Sequence, residues 1–246
     1  MLQKAYVRFR ENIPDNANTY AAAEGFAIQG VKVIPFYGFG DVNLENMPDV
    51  GEDAIVCGNL GDVWAALAMI NREVPEPLDY PDHLDWMLGR DIQRVTLEHV
   101  RGLVTQKHVK PVKQKLFGGF VFDPLDPRSR LAVACCADET PCFVSDEVEF
   151  VSEYRCFFKH DQPIGVRHYR GDAFTSLDKS VYNKALKCCK GKMPNSFCLD
   201  MGVTASGETL LVEATEGYAV GSYGLAGLVY ARFLETRWAQ LVGAVE

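Results

Sequence analysis

The stretch that decides the fold is LDMGVTASGETLLVEATEGYAVGSYGL, residues 199–225. Two largely apolar segments in it flank the Gly-containing turn at residues 205–208, a pattern that predicts a β-hairpin. Asp200 lies on the first arm and Glu213 on the second. Because converging carboxylates repel each other and resist burial, the pair indicates a bound cation. Such hard oxygen ligands suit magnesium, which completes its shell with water and substrate phosphates, so the hairpin predicts a nucleotide site.

Composition and charge place the chain among ordinary globular proteins. Of 246 residues, 48% are hydrophobic and 24% are charged, which suffices for one large domain or two small ones. No apolar run approaches the ~20 residues of a membrane helix, and charges in residues 4–11 leave no signal-peptide core. We therefore expect a cytoplasmic protein without a membrane partner, and the net charge of −8 predicts no nucleic-acid partner.

Basic residues and cysteines both have an uneven distribution. Residues 101–115 carry five basic side chains and no acid, so they form either a binding surface for a polyphosphate or a solvated basic face. The eight cysteines lack the CxxC spacing of zinc knuckles, and no secretory signal accompanies them. We expect them to be reduced thiols.

The N-terminal part alternates between two kinds of pattern. Strand and helix signals follow one another at residues 4–9, 17–29, 31–38, 54–58 and 61–73. This alternation predicts a small parallel sheet covered by helices. Prolines cluster in residues 74–84, and they predict a boundary between an N-terminal α/β domain over residues 1–85 and a second domain over residues 86–246.

The second domain is expected to be rich in β-structure. Helices are predicted for residues 85–103, 176–190 and 225–245. Short strands are predicted for residues 108–112, 118–122 and 130–136, before longer antiparallel strands within residues 147–171.

Four motifs stand in a fixed order before and within the hairpin. They are a lysine in VKP (Lys110), a lysine followed by a glycine pair in KLFGG (residues 115–119), a Glu-x-Arg strand in SEYR (residues 152–155), and the acids Asp200 and Glu213. Taken together they resemble the ATP-grasp superfamily, and most closely its small stand-alone members. Each motif alone is weak, and the resemblance depends on their order and spacing.

The resemblance covers residues 90–225 and implies the fold class α/β (α+β), an ATP-grasp fold with a small N-terminal α/β domain like a pre-ATP-grasp domain. It implies that Lys110 and Lys115 contact the α- and β-phosphates of ATP. Gly118 and Gly119 would let backbone amides approach these phosphates. The alternative for Lys110 alone is a solvent-facing lysine at a strand end.

The strand around SEYR carries the other implied nucleotide contacts. The resemblance implies that Glu149 to Val151 read adenine through their backbone and that Glu153 holds the ribose hydroxyls. Glu149 and Glu153 are alternatively exposed strand residues. Arg155 resembles the arginine that clamps the transferred phosphate. Alternatively, it is an ion-pair partner of Glu153 or Glu213.

The magnesium ligands implied by the resemblance are Asp200, Glu213 and Thr215. Many relatives carry an asparagine where this chain has Thr215, and Glu216 follows it. A threonine hydroxyl ligates magnesium less well than an amide oxygen does. Glu216 would either supplement the site or repel through its own charge.

The function implied is an ATP- and magnesium-dependent ligase acting on small-molecule or peptide carboxylate and amine substrates. The carboxylate would become an acyl phosphate, which an amine or a thiol attacks, with Arg155 and Lys115 as catalytic residues. The alternative is an ATP-grasp module that binds a nucleotide with weak or no turnover, an interpretation supported by Thr215. A Rossmann oxidoreductase is disfavoured because residues 12–18 contain no GxGxxG.

Overall fold

Three four-stranded sheets surround one cleft in the computed structural model, which describes residues 2–244. Two of the sheets are antiparallel and one is largely parallel. No helix within the described range is long and apolar enough to cross a membrane. The eight cysteines, all within this range, are free thiols.

The first sheet is built from the N-terminal part of the chain. Its elements are β1 (Lys4–Arg10), β2 (Ile13–Pro14), α1 (Ala17–Ile28), β3 (Lys32–Phe36), β4 (Ala54–Cys57) and α2 (Leu60–Met69). Strand β1 pairs in parallel with both β3 and β4, so the predicted parallel sheet is confirmed. The side chain of Asn16 caps α1, and Asp62 accepts the backbone N–H of Asn59 at the start of α2.

The last helix, α6 (Gly227–Val242), packs on α1 and completes the core of this first sheet. The two helices approach so closely that a Cβ added at Gly25 would lie 1.9 Å from the carbonyl oxygen of Gly227. Phe26 of α1 and Trp238 of α6 are fully buried in the shared core. This core therefore contains residues from both sides of the predicted domain boundary, and the boundary itself stays a prediction.

The second sheet follows the proline-rich segment, and its strand order is β5-β8-β6-β7. Its elements are β5 (Ile92–Thr96), α3 (Leu97–Arg101), β6 (Lys107–Pro111), β7 (Phe120–Phe122), α4 (Pro127–Ala132) and β8 (Pro141–Ser145). All its strand pairs are antiparallel. A small core around Val109, Phe122 and Val144 lies on one side of it.

The third sheet contains the hairpin, and its strand order is β10-β9-β11-β12. Its elements are β9 (Phe150–Lys159), β10 (Gln162–Gly171), α5 (Lys179–Cys189), β11 (Ser196–Thr204) and β12 (Thr209–Glu216). The predicted hairpin is confirmed: residues 205–208 form the turn, with Gly207 at a φ of 86°.

Two predicted elements are wrong. The sequence predicts one helix over residues 85–103, but a 3-10 helix ends at Met87 and Gly89 adopts a φ of 64°, which lets the chain turn into β5. The sequence also predicts a strand over residues 130–136. Instead α4 begins upstream, because Asp126 caps its first turn and proline occupies its first position.

Candidate functional site

A cleft of about 700 Å³ opens where the three sheets meet. The first sheet contributes the segments that follow β2 and β4, including the N-termini of α1 and α2. The second sheet contributes the end of β6, and the third contributes Arg155 and the end of β12. Clefts of this size hold ligands of nucleotide dimensions, and loops at the carboxyl ends of parallel strands are where open α/β sheets bind ligands.

A row of three charged residues crosses the third sheet beside the cleft. Asp200 on β11 lies directly opposite Arg155 on β9 and directly opposite Glu213 on β12. Residues opposite each other in antiparallel strands project from the same face, so the sheet brings the three side chains together. The predicted facing of Asp200 and Glu213 across the hairpin is therefore confirmed.

The Arg155–Asp200 pair is bidentate and buried. Arg155 donates from Nε to Asp200 Oδ1 at 2.7 Å and from Nη2 to Oδ2 at 2.6 Å. Arg155 is 7% exposed and Asp200 is 3% exposed. Burial raises the pKa of the Asp200 carboxyl, and the arginine opposes that rise by holding the charged form. The arginine thus pairs with neither of the acids that the sequence suggested.

Lys110 reaches the same row from the second sheet. Its Nζ lies 2.5 Å from Glu213 Oε2 and 2.5 Å from Asp79 Oδ1. Burial lowers the pKa of the Lys110 ammonium, but Glu213 and Asp79 outweigh this effect and bring the pKa above its ordinary value. Lys110 is therefore charged, and it joins the two antiparallel sheets across the cleft.

Aromatic rings support the arginine from the other side. The Tyr223 ring centroid lies 4.9 Å from Arg155 Cζ, and the Tyr223 ring stacks on Tyr169 with 4.8 Å between centroids. Arg155 also donates from Nη1 to the carbonyl oxygen of Gly221 at 3.4 Å. The glycine-rich segment after β12 thus holds the guanidinium that faces the cleft.

Residues 87–233, more than half of the chain, match a family model of the ATP-grasp domain, the second family of its clade. The chain belongs to this ATP-grasp family. No curated protein sequence matches the chain.

Solved structures share the ATP-grasp fold over nearly the whole chain. D-alanine–D-alanine ligase from Bacillus anthracis complexed with ATP is similar with a TM-score of 0.58 and 13% identity, covering 99% of this chain and 98% of that one. D-cycloserine synthetase DcsG has a TM-score of 0.58 and 15% identity, with 96% and 99% covered. The ATP-grasp ligase PsnB complexed with a minimal precursor has a TM-score of 0.51 and 12% identity, with 100% of both chains covered. At these identities the likeness shows the fold alone.

The ATP-grasp motifs are distributed unevenly around the cleft. The residues of the predicted site that line it are Lys110, Lys115, Arg155, Glu213 and Thr215. Asp200 is buried against Arg155 and is not part of the lining. Lys115 lies on an exposed turn with a φ of 65°.

The remaining predicted nucleotide residues do not line the cleft. Gly118, Gly119 and Glu149 are exposed. The Val151 carbonyl oxygen accepts the backbone N–H of Asp172 at 2.8 Å.

Glu153 is buried and accepts two hydrogen bonds from its own sheet. Tyr169 donates to its carboxylate at 2.6 Å and Arg170 donates at 2.8 Å. The adenine role of Glu149 and Val151 and the ribose role of Glu153 stay predictions.

Glu216 has a buried partner of its own. Arg237 of α6 donates from Nε to Glu216 Oε2 at 2.5 Å, and both residues are buried. Because this pair neutralises the charge of Glu216, the glutamate does not add a free carboxylate to the metal site expected beside Thr215.

Magnesium would find only oxygen ligands in this row. Among residues 2–244 no three His, Cys, Asp or Glu side chains are grouped so as to hold a metal ion. The carboxylates of Asp200 and Glu213, with the Thr215 hydroxyl on the same strand as Glu213, fit the hard-ligand preference of magnesium. An ionised carboxylate offers about four lone-pair sites, so Asp200 retains acceptor capacity beside Arg155.

The N-terminal arginines that could have faced the cleft freely are both paired. Arg8 donates from Nη1 to Asp62 Oδ1 at 2.9 Å, and Arg10 lies 2.9 Å from Asp15. Asn16 and the start of α2 present polar backbone and amide groups to the cleft beside them.

Sequence reasoning missed Asp79 and Tyr223 as site residues. Asp79 lies in a segment whose prolines are typical of a linker. Tyr223 lies in a glycine-rich segment whose pattern indicates only a turn. An acid between two apolar side chains, LDY at residues 78–80, was the one local signal that this linker is partly buried.

Proposed function

We propose that this protein is an ATP- and magnesium-dependent ligase that activates a carboxylate as an acyl phosphate for attack by an amine or a thiol. The observation that carries the proposal is the charged row of Arg155, Asp200 and Glu213, closed by Lys110 from the opposite sheet. Two cations and two facing acids at one cleft match what a triphosphate and its metal require. Membership of the ATP-grasp family supports the same chemistry.

Each residue has a role that its position permits. Lys110 and Lys115 bind the phosphates as point charges. Arg155, fixed by its bidentate bond and by Tyr223, stabilises the phosphoryl group in transfer, because a planar fork of donors suits its oxygens. The reaction needs no side-chain nucleophile, since the carboxylate substrate attacks the γ-phosphate itself.

The metal site is proposed on Asp200, Glu213 and Thr215. Bound there, magnesium would neutralise charge on the phosphates of ATP. The chain's own contribution is to hold these oxygens at the end of the cleft next to two cations, so that substrate charges meet fixed partners instead of water.

The substrate class follows from the size of the cleft and from the neighbours. The relatives in the solved structures include a ligase of two alanines and a ligase bound to a precursor peptide. We propose small-molecule or peptide carboxylate and amine substrates for this chain as well. The amide-lined wall beside α1 and α2 is the surface that such a substrate would meet opposite the phosphates.

Hydroxylamine tests the proposal without knowledge of the natural nucleophile. The purified protein is incubated with ATP, magnesium, hydroxylamine and pools of amino acids, other carboxylic acids or peptides. We expect ADP and a hydroxamate to form in equal amounts with at least one pool, and EDTA to abolish both. We expect Glu213→Gln to slow ADP release at least about 100-fold.

The alternative function, a nucleotide-binding module, predicts a different outcome. Its support is that Asp200 and Glu213, the two acids proposed for magnesium, already lie in ion pairs. If the protein binds ATP in calorimetry but releases no ADP with any carboxylate pool, the ligase proposal is wrong and the binding module is correct.

A further inference from the structure

The proline-rich segment expected to be a linker carries a buried acid. Asp79 is 3% exposed and has a φ of 40°, a backbone conformation uncommon outside glycine. Its carbonyl oxygen accepts the backbone N–H of Ala214 at 2.7 Å, which bridges the segment to β12. Asp79 is therefore fixed by its backbone next to Glu213, independently of its side chain.

The side chain of Asp79 points to the lysine that joins the two sheets. Its Oδ1 accepts from Lys110 Nζ at 2.5 Å, and the Lys110 side chain is only 17% exposed. The Tyr80 ring lies 5.4 Å from the same ammonium. An ammonium this far from water needs a partner with a full charge, because removing one member of a buried pair leaves an uncompensated ion.

The two acids beside Lys110 are not equivalent. Glu213 belongs to the charged row across β9, β11 and β12, and it is a proposed magnesium ligand whose carboxylate the metal would share. Asp79 lies outside that row and is supplied by a different segment. It is therefore the acid that stays with Lys110 when the nucleotide and metal are bound.

We propose that Asp79 is a positioning residue of the nucleotide site, which holds the Lys110 ammonium against the phosphates of ATP. The inference rests on the proposed function insofar as Lys110 binds phosphate. A lysine oriented by a separate acid is a known requirement of phosphate binding in protein kinases, where the lysine fails without its glutamate partner.

A double-mutant cycle on ATP affinity tests the inference. The dissociation constant of a non-hydrolysable ATP analogue with magnesium is measured by calorimetry for wild type, Asp79→Asn, Lys110→Met and the double variant. We expect Asp79→Asn to weaken binding about tenfold and the double variant to bind as Lys110→Met does, because Asp79 acts only through the lysine. Independent, multiplying effects of the two changes would overturn the inference.

Two further variants keep the result interpretable. Asparagine preserves the shape of Asp79 and its backbone bridge, and Asp82→Asn, an exposed acid three residues away, serves as the control with unchanged affinity. If Asp79→Asn does not fold, Asp79→Glu replaces it in the cycle. We then expect binding about threefold weaker than wild type, with this loss absent in the Lys110→Met background; unchanged binding would overturn the inference.

The readout separates this inference from the ligase proposal. A wild type that binds the analogue and shows the expected cycle, but releases no ADP with any carboxylate pool, leaves Asp79 as a positioning residue and ends only the ligase proposal. An active ligase in which the two substitutions multiply ends only the role of Asp79.

Discussion

The two antiparallel sheets that flank the cleft present their charges in opposite ways. On the third sheet, Arg155 and Asp200 are buried, bidentate and covered by Tyr223. On the second sheet, Lys115 projects from an exposed turn close to two exposed glycines. The first arrangement is fixed before any substrate arrives, whereas the second has freedom to follow one.

This difference assigns different duties to the two sheets. A group that stabilises developing charge is most effective when it is oriented in advance, since no reorganisation then accompanies the reaction. A group that captures a flexible triphosphate gains from reach. Lys110 belongs to both sheets through its contacts with Glu213 and Asp79, so it couples the fixed side to the adaptable one.

The largest effect should come from breaking the fixed side. We expect Arg155→Met to reduce the free energy of unfolding by about 3–5 kcal/mol, because it leaves Asp200 buried without its partner. The same change should abolish ADP release. Urea denaturation measures the first effect, with the exposed Arg10→Met as the control that leaves the midpoint unchanged. An Arg155→Met midpoint equal to wild type would show that the pair does not contribute to the fold.

A smaller effect, of another kind, is expected on the adaptable side. Lys115→Ala should weaken ATP binding about tenfold, as expected for one charge-assisted contact to phosphate, while the melting temperature stays at the wild-type value. Calorimetry and thermal denaturation on the same sample measure the two quantities. A large drop in melting temperature would contradict the contrast between the sheets.

The smallest effect sharpens the account of how Arg155 is held. Tyr223→Leu removes the ring beside the guanidinium, and we expect kcat to fall about threefold to fivefold with the ATP dissociation constant unchanged, in line with an exposed cation–π contact. Tyr223→Phe keeps the ring face and should retain wild-type kcat. If Phe and Leu behave alike, the ring does not position the arginine.

The hairpin was the part of the site best predicted from sequence. Because the turn at residues 205–208 fixes the register, the spacing alone placed Asp200 opposite Glu213. The partner of Arg155 was not predictable in the same way. Glu153 and Glu213 were both plausible on local grounds, but the order β10-β9-β11-β12 puts β9 beside β11 and hence Arg155 beside Asp200.

The other misses have physical causes of the same sort. Apolar residues in residues 85–103 fit a helical period, yet the positive φ of Gly89 and the pairing of β5 with β8 determine the structure there. Asp79 meets Lys110 through a contact between separate parts of the chain, which no local pattern encodes. Local signals thus predicted elements and one register, while the assembly of the sheets determined the ion pairs.

The close crossing of α1 and α6 bears on the order of events during synthesis. The N-terminal sheet is made first, but the helix that covers its core through the contact of Gly25 with Gly227 is made last. The first sheet therefore completes its core only when the final helix has left the ribosome. The beginning and the end of the chain then close together like a clasp, and the wall of the cleft at α1 acquires its final position at that moment.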